Sequence, residues 1–243
     1  MIRRAWIVVA LVACEPRLRI DALPELAVRD PATAIVMPAL VLVPGEVLIW
    51  EVHVQGLTIG RAELDVSEDR ARSTFATSPL VRSFANVRHE LTTILDRDAA
   101  RPVRAIDVAD VGGDHTRVES AFRGSQIVAT GRPARVVPDG NFGHTLHTAL
   151  GALRAWASPR ARPGFLYVAH AGELFRIDFG QPVVEDLYGA ATLRIDGRVR
   201  ATANQAAVAV AIWLRATTDR TPVRLEIHGE DLTVSADLIA TDA

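Results

Sequence analysis

The chain has 243 residues, is 49% hydrophobic and 23% charged, and carries a formal net charge of −2. That is enough chain for one large β domain or two small ones, and the charge offers no whole-protein attraction to nucleic acid or to anionic lipid. All 27 basic residues are arginine and the single cysteine is Cys14, so an intramolecular disulfide and a four-cysteine zinc site are both excluded.

The chain begins MIRRAWIVVALVAC, with a basic stretch at Arg3 and Arg4 and an apolar stretch from Ala5 to Ala13. Nine residues are too few to span a bilayer, which needs about 20, but they suit the core of an export signal. Leu11-Val12-Ala13-Cys14 resembles the bacterial lipobox, in which small residues precede a cysteine. The resemblance implies cleavage before Cys14, acylation of that residue, and a lipid anchor in the bacterial cell envelope. With Glu15 rather than aspartate next, it also implies the outer membrane, facing the periplasm. Residues 1–13 are thus read as a lipoprotein signal peptide.

Residues 14–44 carry prolines at 16, 24, 31, 38 and 44, a density that excludes regular helix and central strand. They are read as a proline-rich tether, whose apolar run Ala34 to Val43 suits an edge segment lying against the domain. Residues 45–243 show no further compositional break and are read as a single antiparallel β domain. Leu48, Trp50, Val52 and Val54 alternate with Glu51 and His53, and Ala62, Leu64 and Val66 alternate with Glu63 and Asp65. This period of two predicts a hairpin with one buried face, turned at Gly56 and bulged near Gly60. Ser78-Pro79 predicts a helix start, with Leu80, Val81, Phe84 and Val87 at helical spacing. Strands are expected over Glu90 to Leu95, Val103 to Val111, Thr116 to Phe122 and Gln126 to Thr130. Asn141 to Trp156 reads as the second helix, with Asn141 as cap and Leu146, Ala149, Leu150, Leu153 and Trp156 as its apolar stripe. Alternation resumes at Phe175–Phe179, Ala191–Ile195, Val208–Leu214, Val223–Ile227 and Leu232–Leu238. The expected architecture is mainly β: a curved antiparallel sheet, or a partly open β-barrel or sandwich, with two short helices.

The order of these pieces resembles a bacterial envelope family filed as domain of unknown function 3108. The resemblance rests on Leu48, Trp50, Val52, Gly56, Gly60 and Ala62 in the opening hairpin and on a helix ending in Leu-Arg (Leu146 to Arg154). It also rests on Ile212-Trp213-Leu214, Pro222 to Leu225 and the closing strand Leu232 to Leu238. These are structural glycines and apolar alternation, and they bring no catalytic residues with them.

Chemistry-bearing motifs are sparse. His89-Glu90 opens like the zinc motif H-E-x-x-H, but its fifth position is Thr93, so the second ligand is missing. His144 and His147 stand three apart on the expected helix, close enough to share a ligand; without a third ligand no metal or cofactor is assigned, and both are expected at the helix start facing solvent or capping it. Asp110, Asp114 and His115 surround Gly112-Gly113; such a group can bind a cation or assist acid-base chemistry, but acidic residues beside a glycine pair read first as turn formers. Arg194, Arg198 and Arg200, interrupted by Asp196, read as a solvated strand face. No nucleophile elbow, phosphate loop or dinucleotide motif is present. The expectation is a binding or assembly module holding a hydrophobic ligand or envelope protein, with the membrane as a partner through the lipid anchor. The alternatives are a structural lipoprotein without a pocket and a metal-dependent hydrolase.

Overall fold

A computed structural model describes residues 33–202, 207–229 and 232–242. The signal peptide, Cys14 and most of the expected tether lie outside the described residues. The elements in chain order are β1 (Val47–Val54), β2 (Leu57–Val66), β3 (Arg70–Thr77), α1 (Pro79–Arg82), β4 (Val87–Asp96), β5 (Arg101–Val111), β6 (Asp114–Arg123), β7 (Gln126–Ala129) and β8 (Arg135–Val136). A single 3-10 turn (Pro138–Gly140) then precedes α2 (Leu146–Trp156). After it come β9 (Gly164–His170), β10 (Glu173–Phe179), β11 (Val183–Leu187), β12 (Ala190–Ala201), β13 (Ala207–Arg215), β14 (Pro222–His228) and β15 (Thr233–Asp242).

All 15 strands join one antiparallel sheet in the order β8-β7-β6-β5-β4-β3-β2-β1-β15-β14-β13-β12-β10-β9, with β11 beside β12. The sheet curves around α2 without closing by hydrogen bonds. Its first and last strands in sequence pair directly, β1 with β15, at the middle of the sheet.

The opening hairpin follows its sequence pattern. Gln55 and Gly56 both take positive φ (50° and 81°), the geometry of the tight turn that matches strand twist. The register slips between Val52 and His53, leaving Ile59 unpaired beside Gly60. Gly60 is required there: a Cβ would stand 2.3 Å from the Ala76 carbonyl oxygen. Leu48, Trp50, Leu64 and Val66 form one buried cluster with Ala71 and Leu95.

Two helix boundaries differ from the sequence reading. The first helix stops at Arg82, after Ser78 caps Val81, and Val87 opens β4 as a buried residue. Leu80 and Phe84 project into solvent, Phe84 at 88% exposure, so their helical spacing faces no core. The second helix is capped four residues later than expected. Thr145, not Asn141, is its cap, closing a reciprocal box with Thr148, while the Asn141 amide donates to the Pro138 carbonyl.

α2 lies on the concave face of the sheet. Ala149, Ala152 and Leu153 pack with Leu166, Val168, Leu193, Ile195 and Leu214. The apolar run of the expected tether lies over the same helix as a strap. Ile35, Met37 and Leu40 join that cluster, Leu42 joins the cluster of the first hairpin, and Val41 N–H donates to the Gly151 carbonyl. Gly151 permits this approach, since a Cβ would stand 2.9 Å from Leu42 Cγ.

β9, a free edge in the sheet order, is covered from both ends of the strap-and-helix unit. Ile35 N–H donates to Phe165 O and Phe165 N–H to Thr33 O; His144 N–H donates to Tyr167 O and Ala169 N–H to His144 O. An edge so occupied cannot template pairing with another chain.

Candidate functional site

The interior is not wholly apolar. On β4 the alternate residues Val87, His89, Leu91, Thr93 and Leu95 share the inward phase, and on β5 Asp107 follows Ala105 in that phase. β9 ends at His170, on the same side as Leu166 and Val168, which pack under α2. The curvature of the sheet brings these three strands together at one place.

There His89 Nε2 stands 2.9 Å from Asp107 Oδ1, and His170 Nδ1 stands 2.8 Å from Asp107 Oδ2. Asp107 and His170 are buried, at 8% and 5% exposure, and the two imidazoles meet edge to face with centroids 5.4 Å apart. The first contact is a hydrogen bond. The second is short but misaligned, and among the described residues neither atom of it has a hydrogen-bond partner. Burial pushes the Asp107 carboxyl up, but contact with His170 and then His89, with their charge, outweighs it and holds the group below the usual carboxylate range.

A second polar group adjoins the first turn of α2. His147 places Nδ1 2.8 Å from Thr93 Oγ1 and Nε2 2.9 Å from Ser73 Oγ, and Thr93 donates to Thr145, the helix cap. His144 pairs through Nδ1 with Thr148. Both histidines are buried, against the expectation that they face solvent. They sit there because Thr145 starts the helix, which turns His147 onto β3 and β4 and leaves His144 bridging to β9. Among the described residues, the His/Cys/Asp/Glu group with ligand spacing is His89, Asp107 and His170, and it includes neither His144 nor His147.

Burial lowers His147 to about 3 and His144 to about 4, from an ordinary value of 6.5; for His147 the charges of His170 and His89 add to the effect. The folded state therefore holds both rings neutral, while the unfolded chain takes up protons below 6.5. The unfolded state binds more protons in that window, so stability is fully present above 6.5 and is lost as pH falls toward 4. Urea midpoints converted to free energy should drop by about 2–4 kcal/mol between pH 7 and pH 5. Stability flat or rising over that interval would contradict the burial of the two rings.

The remaining sequence candidates lie apart. Asp110 and His115 form an exposed pair at 2.7 Å across the Gly112-Gly113 turn. Arg194 pairs with Asp196 and Glu185, and Arg200 with Asp178 on β10. One small opening lies between the strap and β9, bordered by Ile35, Asn141, Phe142, His144, Phe165 and Tyr167, with about 10 Å³ of free volume, room for about one water. The apolar groove that the β pattern suggests beside α2 is thus occupied by the chain's own strap.

Asp107 and His170 escape a motif search because they lie 63 residues apart on separate strands. The signal that could have found Asp107 and His89 is their phase: each is a polar residue at an inward position of an alternating strand. No protein-family model and no curated protein matches the chain. The resemblance to domain of unknown function 3108 rests on the residue pattern alone. A β-barrel-like protein of domain of unknown function DUF1849 from Brucella abortus superposes with a TM-score of 0.60 at 12% identity, over 84% of this chain and 99% of that one. This chain shares that fold. The lipoprotein LppX of Mycobacterium tuberculosis matches over 82% of this chain and 86% of its own at 11% identity, but with a TM-score of 0.28 it superposes only loosely. Among the described residues no helix is long and apolar enough to cross a membrane.

Proposed function

We propose that this protein is a lipid-anchored binding module of the bacterial envelope whose groove along α2 accepts an extended apolar segment. The observation that carries the reading is the strap itself. Ile35, Met37, Leu40 and Leu42 lie on α2 and the sheet as an acyl chain or an apolar peptide would, joined by few backbone hydrogen bonds. The groove thus displays the chemistry it accepts, and the strap is the first competitor of any ligand. The Cys14 anchor would tether the domain at the membrane, the source of acyl chains. Several acyl chains on Cys14 hold durably, since each buried methylene contributes about 0.8 kcal/mol.

The anchor is tested by detergent-phase partitioning and intact mass. The wild-type protein should partition into detergent and carry acyl mass, and Cys14→Ser should be aqueous and unmodified. Equal solubility of the two, without acyl mass on either, removes the anchor. A second reading, a structural lipoprotein without a pocket, is favoured by the close packing of Ile35, Leu40 and Leu42 where a ligand would lie. The two readings differ in what happens when the strap is loosened.

A further inference from the structure

The cluster formed by His89, Asp107 and His170 has no place in an apolar groove. Its three side chains offer two imidazole nitrogens and one carboxylate oxygen, all within 4.8 Å of one another. Two polar atoms in it, Asp107 Oδ2 and His170 Nδ1, are buried and face each other at 2.8 Å without an aligned hydrogen bond. A purely structural triad would align that pair, because leaving a buried polar group unsatisfied forfeits its hydration without return. A cation between the rings would take the lone pairs of both nitrogens and of the carboxylate.

We propose that His89, Asp107 and His170 are the protein ligands of one divalent transition-metal ion, with zinc the first choice. The donor set decides the class. Two imidazoles and one carboxylate suit zinc and its neighbours, whereas magnesium and calcium prefer oxygen throughout. Three protein ligands leave a fourth position open, on the side of His89, whose side chain is 15% exposed and gives the site its access. Tetrahedral ligands about 2.0–2.1 Å from zinc are separated by about 3.3 Å, so the present separations call for side-chain rotations rather than a change of fold. The ion would join β4 and β5 on one wall to β9 on the other. It would therefore staple the curved sheet between strands that are not neighbours in its hydrogen-bonded order. The site is separate from the strap and does not depend on the groove reading.

The test uses purified full-length protein stripped with a chelator. Titration with zinc chloride should show one site, with a rise in melting temperature that magnesium chloride does not reproduce. His89→Gln, Asp107→Asn and His170→Gln should each weaken binding at least about tenfold, while His115→Gln, in the exposed pair, should leave it unchanged. Should the three variants fail to fold, imidazole nitrogen chemical shifts of the unmutated protein decide: zinc should shift His89 Nε2 and His170 Nδ1 and spare His53, His115 and His228. No binding by the unmutated protein, unchanged binding in the folded variants, or shifts confined to other histidines would each overturn the proposal.

Discussion

Arg154→Ala should destabilise the fold by about 3–5 kcal/mol, the cost of leaving a buried charge without its partner. Arg154 is 1% exposed on the last turn of α2. Its two terminal nitrogens donate to the two Glu46 oxygens at 2.7 and 2.8 Å, and its Nε donates to the Asp219 carbonyl at 2.9 Å. The fork thereby ties the helix to the start of β1 and to the turn between β13 and β14. Bidentate, charge-assisted bonds of this kind are geometrically demanding, so lysine should not substitute. Glu46 stranded among apolar neighbours is the source of the loss, so Arg154→Met with Glu46→Met should recover most of it. Chemical denaturation of the two single variants and the double variant forms the cycle. Additive losses would mean the pair is not coupled.

Trp50→Ala is the second large effect, at about 3–5 kcal/mol. Trp50 is buried in β1, packs in the cluster with Leu48 and Leu64, and donates its indole N–H to the Pro222 carbonyl at 3.2 Å. Truncation removes the largest side chain of that cluster and leaves the Pro222 carbonyl without this donor. Trp50→Phe should cost less, because it keeps most of the volume and loses the hydrogen bond. A loss below about 1 kcal/mol for alanine would mean that the indole does not fill the core.

The contrast between these residues and the polar cluster shows where sequence pattern is informative. The first hairpin was legible because one face is buried and the other is not, which forces alternation at Leu48, Trp50 and Val52. β9 was not legible, because all seven residues from Gly164 to His170 are buried and no alternation survives. His170 went unseen with its strand. β3 was also missed, since a serine, Ser73, stands on its inward face between Ala71 and Phe75 and an alanine, Ala76, on the other, which leaves little hydrophobic contrast. The α2 stripe was legible, but its cap was not: Asn141 is the favoured residue type, yet Thr145 and Thr148 together close the box that defines the start. The prolines predict a tether over residues 14–44, of which 33–44 are described. That Ala34 to Val43 lies over α2 is a tertiary outcome, set by the space that Gly151 leaves for Leu40 and Leu42.

The most direct test of the groove reading is displacement of a fluorescent fatty acid, comparing the unlipidated Cys14→Ser protein with the same protein carrying Leu40→Ser and Leu42→Ser. The two serines weaken the strap's hold on α2 without touching the sheet that lines the groove. Melting curves first establish that both proteins are folded at the assay temperature. The account predicts saturable binding that tightens at least tenfold when the strap is loosened, because the ligand no longer competes with the chain's own apolar residues. Absence of binding in both folded proteins, or binding indifferent to the strap, would contradict it and leave the structural lipoprotein without a pocket.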